Sequence, residues 1–161
     1  IRTGNRNSYS GIWRTSGYLA YGKAEKVILD KSYIDRYFLE YEYKRVYIDF
    51  DDTLVFNRET YNTEAMRFLY QCLNKKIELI LITKHAYDIY ETARNIKLGL
   101  NIFNKIIEVP NNEPKYKYID NTVPSIFIDN AFAERMAVKK ELGIPTFDVT
   151  NFECLIDWRM I

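Results

Sequence analysis

Val46–Val55 reads VYIDFDDTLV, and the reading of the whole chain turns on it. Val46, Tyr47 and Ile48 predict a strand that runs into Asp49, Asp51 and Asp52. Three carboxylates within four residues repel one another, and each loses solvation beside an apolar strand unless a cation compensates. Hard oxygen ligands with no cysteine or histidine pair nearby suit Mg²⁺ rather than zinc.

Downstream, the apolar residues alternate between two periods. Thr63–Asn74 (TEAMRFLYQCLN) is apolar at 65, 66, 68, 69, 72 and 73, which predicts an amphipathic helix. Ile77–Thr83 (IELILIT) is almost continuously apolar, as a strand buried on both faces should be. A helix is expected over Ala86–Leu98, a strand at Lys105–Val109 and another at Pro124–Asp129. Ala131–Leu142 reads as a helix stopped by Gly143, with Pro145 just beyond. Pro145–Val149 closes as a strand, followed by a short helix around Phe152–Trp158. Strands alternating with helices in this way predict an α/β fold with a mainly parallel central sheet of about five strands.

Upstream the character changes. Residues 1–43 are expected to be an N-terminal extension or the tail of an upstream domain, with the regular domain over 44–161. Eight of the 14 tyrosines lie in the first 47 residues, and no acid precedes Glu25. Glycines at 4, 11, 17 and 22 predict loops, with short strands at 17–22 and 26–29. Ile34, Tyr37, Phe38 and Tyr41 place a helix over Asp30–Tyr41. The chain starts without Met or the apolar core of a signal peptide, so it is expected to be a piece of something longer.

Composition narrows the class. Of 161 residues, 47% are hydrophobic and 28% charged, which excludes a disordered or collagen-like chain. No apolar run approaches the roughly 18 residues that a membrane span needs. Twenty-three basic against 22 acidic residues leave a net charge of +1, with no broad attraction for nucleic acid or acidic membranes. Cys72 and Cys154 form no CxxC motif and His85 is the single histidine. A zinc cluster or disulfide scaffold is not expected, and a reducing cytoplasm fits best.

In an open parallel sheet, reactive groups collect beyond the carboxyl ends of the strands. Those ends carry Asp49, Asp51 and Asp52, then Thr83, Lys84 and His85, then Asp129 and Asn130. Lys115 and Lys117 lie between, in the polar stretch 111–120 (NNEPKYKYID). Taken singly, Asp129 and Thr83 read as helix caps and the lysines as surface charges. His85 reads equally as a structural histidine or a substrate contact.

Taken together and in order, IDFDDTLV, LILIT, a downstream Lys and IFIDN resemble the four motifs of the haloacid dehalogenase (HAD) superfamily. That family's first motif, an apolar strand followed by Asp-x-Asp-x-Thr-Leu or Val, is matched by Asp49–Val55. A strand ending in Thr or Ser is matched by Thr83. The third-motif Lys is Lys115 or Lys117, with Lys115 preferred because it follows Pro114 at the first turn of a short helix. An apolar strand ending in an acid is matched by Asp129. The resemblance covers residues 44 to about 158.

The resemblance implies a Rossmann-like three-layer sandwich and an aspartyl-phosphate mechanism. In it Asp49 is the nucleophile, Asp51 the general acid and base, and Thr83 and Lys115 ligands of the phosphoryl oxygens. Asp49, Asp129 and the backbone carbonyl of Asp51 hold Mg²⁺; Asp52, Thr53, Lys84 and His85 are expected to contact substrate and phosphate. HAD dehalogenases lack an acid at the second position, so Asp51 points to phosphoryl transfer. The fourth motif often carries a second acid, where this chain has Asn130; Glu134 is expected to supply a carboxylate behind Asp129 instead.

Intervals of 34 residues from Asp49 to Thr83 and 32 from Thr83 to Lys115 leave no room for an inserted cap domain. The expected function is therefore that of a capless HAD phosphatase acting on a phosphorylated small molecule: a sugar phosphate, nucleotide or related biosynthetic intermediate. A homo-oligomer, a fused upstream domain or residues 1–43 could cover the site, with Trp13 available to stack on a ring, although the aromatics of residues 1–43 read more readily as packing against the sheet or an upstream domain. Phe127–Val149 is similar to small HAD modules joined to bacterial biosynthetic enzymes. Two alternatives stand beside this reading: a HAD-fold binding or regulatory module with little turnover, and a phosphotransferase.

Overall fold

The computed structural model describes residues 41–160. The strands expected at 17–22 and 26–29, the helix expected over Asp30–Tyr41 apart from its last residue, and Trp13 lie outside the described residues.

Strand β1 (Arg45–Ile48) forms the middle of a five-stranded sheet. Its companions are β4 (Glu78–Thr83), β5 (Lys105–Glu108), β6 (Ser125–Ile128) and β7 (Thr146–Phe147). The order is β5-β4-β1-β6-β7, and every pairing is parallel. Register explains the core. Val46 lies between Leu79 and Ile126, and Ile48 between Leu81 and Ile128, while Tyr47 lies between Ile80 and Phe127. Successive side chains of a strand point to opposite faces, so the first two rows and the third row build separate cores.

One core adds Phe68, Leu69 and Cys72 of helix α1 (Thr63–Asn74) and Phe152 and Leu155 of α4 (Phe152–Leu155). The other adds Val138 of α3 (Phe132–Leu142), Ile119 and Ile144. The edges are blunted in two ways: β7 is only two residues long, and β5 carries exposed Lys105 and Glu108 at its ends.

Helix α1 occupies the expected span, capped by Asn62 Oδ1, which accepts from Ala65 N at 3.3 Å. Asn62 Nδ2 also donates to Thr53 O at 3.0 Å, tying the helix start to the loop after β1. Helix α3 stops at Gly143, whose φ of 71° is left-handed. Helix α2 (Ile89–Asn95) is shorter than the expected 86–98. Asp88 caps it by accepting from Tyr90 N at 2.9 Å, and Lys97 at φ 61° ends the turn that follows. Residues 84–88 are thereby left as a loop beside the strand ends.

A hairpin of β2 (Val55–Phe56) and β3 (Thr60–Tyr61) lies between β1 and α1, where the sequence reading placed no element. Asn57 and Arg58 have φ of 51° and 59°, and Glu59 N donates to Phe56 O at 3.0 Å. Two successive positive φ values make this a type I′ turn, whose twist matches that of the flanking strands. No helix among the described residues is long and apolar enough to cross a membrane.

Candidate active site

Parallel pairing brings all the strand ends to one edge of the sheet. Asp49 follows β1 directly, and its N–H extends the pairing to Ile128 O at 3.0 Å. Asp129 follows β6, where its N–H donates to Phe147 O at 3.0 Å. Both carboxylates are buried, and Lys115 reaches between them from a 3₁₀ turn over Lys115–Tyr118. Its Nζ donates to Asp49 Oδ1 at 2.8 Å and to Asp129 Oδ2 at 2.6 Å. The second oxygen of each acid is also held. Thr53 Oγ1 donates to Asp49 Oδ2 at 3.1 Å, and Ala131 N donates to Asp129 Oδ1 at 2.9 Å.

Glu134 of α3 closes the arrangement from behind. Its Oε1 accepts from Lys115 N at 3.1 Å, and its Oε2 pairs with Lys84 Nζ at 2.5 Å. One carboxylate thus fixes the backbone that carries Lys115 and holds the cation after β4. Arg135 Nη1 donates to Asp129 O at 2.9 Å and lies 3.6 Å from Asp148 Oδ1.

Charge is unevenly satisfied. Asp49, Asp129 and Glu134 share two ammonium groups, leaving one excess negative charge in a mostly buried cluster. Burial, reinforced by the charge of Asp129, pushes the Asp49 carboxyl up to about 7 despite Lys115. Burial likewise raises Asp129, against the pull of Lys115. Burial alone would depress the Lys115 ammonium, but the two carboxylates outweigh it and hold the group above its ordinary value. Thr83 is fully buried at the end of β4, and its Oγ1 has no hydrogen-bond partner among the described residues. A buried hydroxyl left unpaired costs about 1–3 kcal/mol.

Asp51 lies at the boundary with solvent, its side chain 39% exposed. Its Oδ2 is 2.7 Å from His85 Nδ1, and His85 Nε2 is 2.8 Å from Thr92 Oγ1 on α2. Asp51, Asp52, Asn57, Arg58, Lys84 and His85 line an open cavity of about 380 Å³. Such a volume accommodates a small molecule. Arg58 sits over the Tyr87 ring at 4.8 Å, joining the hairpin to the loop after β4 at this mouth.

The structure therefore brings together Asp49, Thr53, Lys115, Asp129 and Glu134, with Asp51, Lys84 and His85 adjoining. Lys117 is exposed, and Lys115 alone of the two lysines enters the cluster. Asp52 is exposed at φ 55°, with Oδ1 accepting from Asn57 N at 3.1 Å, so it braces the hairpin. Asn130 is exposed beside the site. Sequence reasoning missed Thr92, Arg135, Asn57 and Arg58. Asn57 carried a readable signal, because Asn between two short β-favouring pairs marks a type I′ turn; Thr92 carried none.

Among the described residues, no three or more His, Cys, Asp or Glu side chains are grouped to hold a metal ion; the pair Asp49 and Asp129 is bridged by an ammonium. The chain matches no protein-family model, no curated protein and no solved structure.

Proposed function

We propose that the protein is a Mg²⁺-dependent phosphohydrolase of the capless HAD type, cleaving the phosphate monoester of a small molecule through an aspartyl-phosphate. The observation that carries this reading is the convergence of Asp49, Asp129 and the Lys115 ammonium at the carboxyl edge of the sheet. A buried Thr83 hydroxyl at the end of the neighbouring strand, unpaired among the described residues, adds a donor without an acceptor there. A phosphoryl group supplies acceptors for both the hydroxyl and the ammonium. Cores on both faces of the sheet support a three-layer Rossmann-like arrangement. The 49–83 interval is filled by a hairpin, a helix and a strand, which supports a site without a cap.

The donor set fits Mg²⁺ in kind. Asp49 and Asp129 offer hard oxygens, and Asp51 adds to the excess negative charge; the Asp51 backbone carbonyl would complete the protein ligands. Bound there, the ion supplies positive charge to the phosphoryl oxygens and to both carboxylates. The rest falls to the chain's own residues. Thr53 and Lys115 hold the two oxygens of Asp49 so that the carboxylate faces the incoming phosphorus. An Asp49 oxygen attacks, the bond from phosphorus to the ester oxygen breaks, and Asp51, entering in its protonated form, gives that oxygen its proton. Asp51 then takes a proton from water, whose oxygen attacks phosphorus and releases phosphate and Asp49. Lys115 and Thr83 stabilise the charge on the transferring group throughout.

Hydrolysis of p-nitrophenyl phosphate and a panel of sugar and nucleotide phosphates, with and without Mg²⁺, tests this reading. Mg²⁺-dependent turnover by the wild type, lowered roughly 10³-fold or more in Asp49→Asn, is the expected result. Wild type and variant equally inert across the panel would overturn it in favour of a binding or regulatory module. Product release accelerated by added alcohols or sugars would mark a phosphotransferase.

A further inference from the structure

His85 faces the protein with both of its ring nitrogens. Nδ1 lies 2.7 Å from Asp51 Oδ2 and Nε2 lies 2.8 Å from Thr92 Oγ1. The side chain is 2% exposed although it borders an open cavity. Phe50 meets the ring edge-on at 5.4 Å and 83°, and Tyr87 flanks it at 6.2 Å and 73°. A histidine waiting for a substrate would keep one nitrogen free. This one spends both on a chain that starts at helix α2 and ends on the half-exposed carboxylate of Asp51.

We propose that His85, anchored by Thr92, is the positioning residue for Asp51. This assignment rests on the phosphohydrolase reading above, in which Asp51 moves the proton of the leaving group. A carboxylate on a loop, with one face open to water, samples several rotamers, and each one that turns away from the ester oxygen is unproductive. Holding Oδ2 through a buried ring leaves Oδ1 to face the cavity. The hydrogen-bond inventory also sets the tautomer. Ionised Asp51 only accepts, so Nδ1 carries the proton; Nε2 is then a lone pair that accepts from the Thr92 hydroxyl. The anchor and the carboxylate are compatible in that one arrangement of a neutral ring.

His85 is the single histidine in the sequence, so ¹⁵N NMR of imidazole-labelled full-length protein reads it without assignment work. In mildly alkaline buffer the Nδ1–H tautomer should dominate, and Asp51→Ala, which removes the acceptor, should abolish that preference. The kinetic arm uses His85→Phe, His85→Asn and Thr92→Val with Mg²⁺, on p-nitrophenyl phosphate and on an alkyl phosphate such as glycerol phosphate. Nitrophenolate leaves without a proton, whereas an alkoxide needs one. His85→Phe should therefore lower kcat/KM, which reports the steps up to departure of the leaving group, roughly 10–100-fold on the alkyl ester and less than about threefold on the aryl ester, while kcat on both also carries the water step that Asp51 serves as base. Asn places an amide N–H near the position of Nδ1, so His85→Asn should recover part of the alkyl activity, and Thr92→Val should show a smaller loss of the same kind.

Equal losses of kcat/KM on both esters would overturn the positioning role. A dominant Nε2–H tautomer in the wild type would overturn the contact itself, whatever the activity. An Nδ1–H tautomer with a wild type inert on both esters would instead overturn the phosphohydrolase reading, and the catalytic role of His85 with it.

Discussion

Lys115 shows how much one side chain can hold. Lys115 is 3% exposed and its ammonium stands between two carboxylates, so removing it leaves Asp49 and Asp129 buried against each other. Breaking such a group by deleting one partner costs about 3–5 kcal/mol. The pH dependence has a definite sign. Asp49 is raised from 3.8 to about 7 in the folded chain, so between those values the folded state binds more protons than the unfolded one. Stability contributed by this group is present below about 3.8 and is lost as pH rises through about 7. Asp129, also raised by burial, acts with the same sign. Urea unfolding without divalent cation should therefore show stability falling between pH 5 and pH 7.5, and added Mg²⁺ should flatten that slope if the proposed site is right. Lys115→Met should steepen it, with most of the loss appearing at the upper end. A variant equally destabilised at both pH values would contradict this account.

At the scale of elements, the loop after β1 is held by the start of a helix. Asn62 caps α1 with its oxygen and grips Thr53 O with its nitrogen, while Thr53 Oγ1 holds Asp49. Asn62→Ala should cost about 1–2 kcal/mol in chemical unfolding, the usual price of a lost cap. Asn62→Ser keeps a capping oxygen but does not reach Thr53. It should recover most of the stability, while the phosphatase rate, if present, stays below wild type; recovery of both would mean that the Thr53 contact is idle. The β2–β3 hairpin belongs to this scale too. Its strands are two residues each, too short for any period to register, and its ladder is made by pairing across a turn rather than by composition.

For the whole molecule, the question is how the last residues stay attached. Gln71 on α1 donates from Nε2 to Asp157 O at 2.9 Å and accepts at Oε1 from Asp157 N at 2.7 Å. One amide satisfies both backbone groups of a residue 86 positions away. Gln71→Ala should lower stability by about 2 kcal/mol, because two backbone groups lose their partners together. Guanidinium unfolding with an unchanged m-value is the check; a change below about 0.5 kcal/mol would show that water replaces the amide freely.

The strands of the sheet were legible because a parallel sheet covered on both faces demands unbroken apolar runs. IELILIT and SIFI can hardly be anything else, and α1 announces itself by its spacing. The acids and Thr83 were legible because they stand where those runs stop. Helix α2 was overextended because apolar spacing does not reveal where Asp88 takes over as cap. Pro114 favoured Lys115 over Lys117 in the sequence, but the clamp of Glu134 on Lys84 and Lys115 and the line from Thr92 through His85 to Asp51 could not be read that way. Residues 34, 50 and 66 apart meet there. A linear pattern records which residues prefer burial, through local and periodic constraints. Partnership between distant polar groups depends on the order and register in which the strands lie side by side, and that emerges only when the chain is packed.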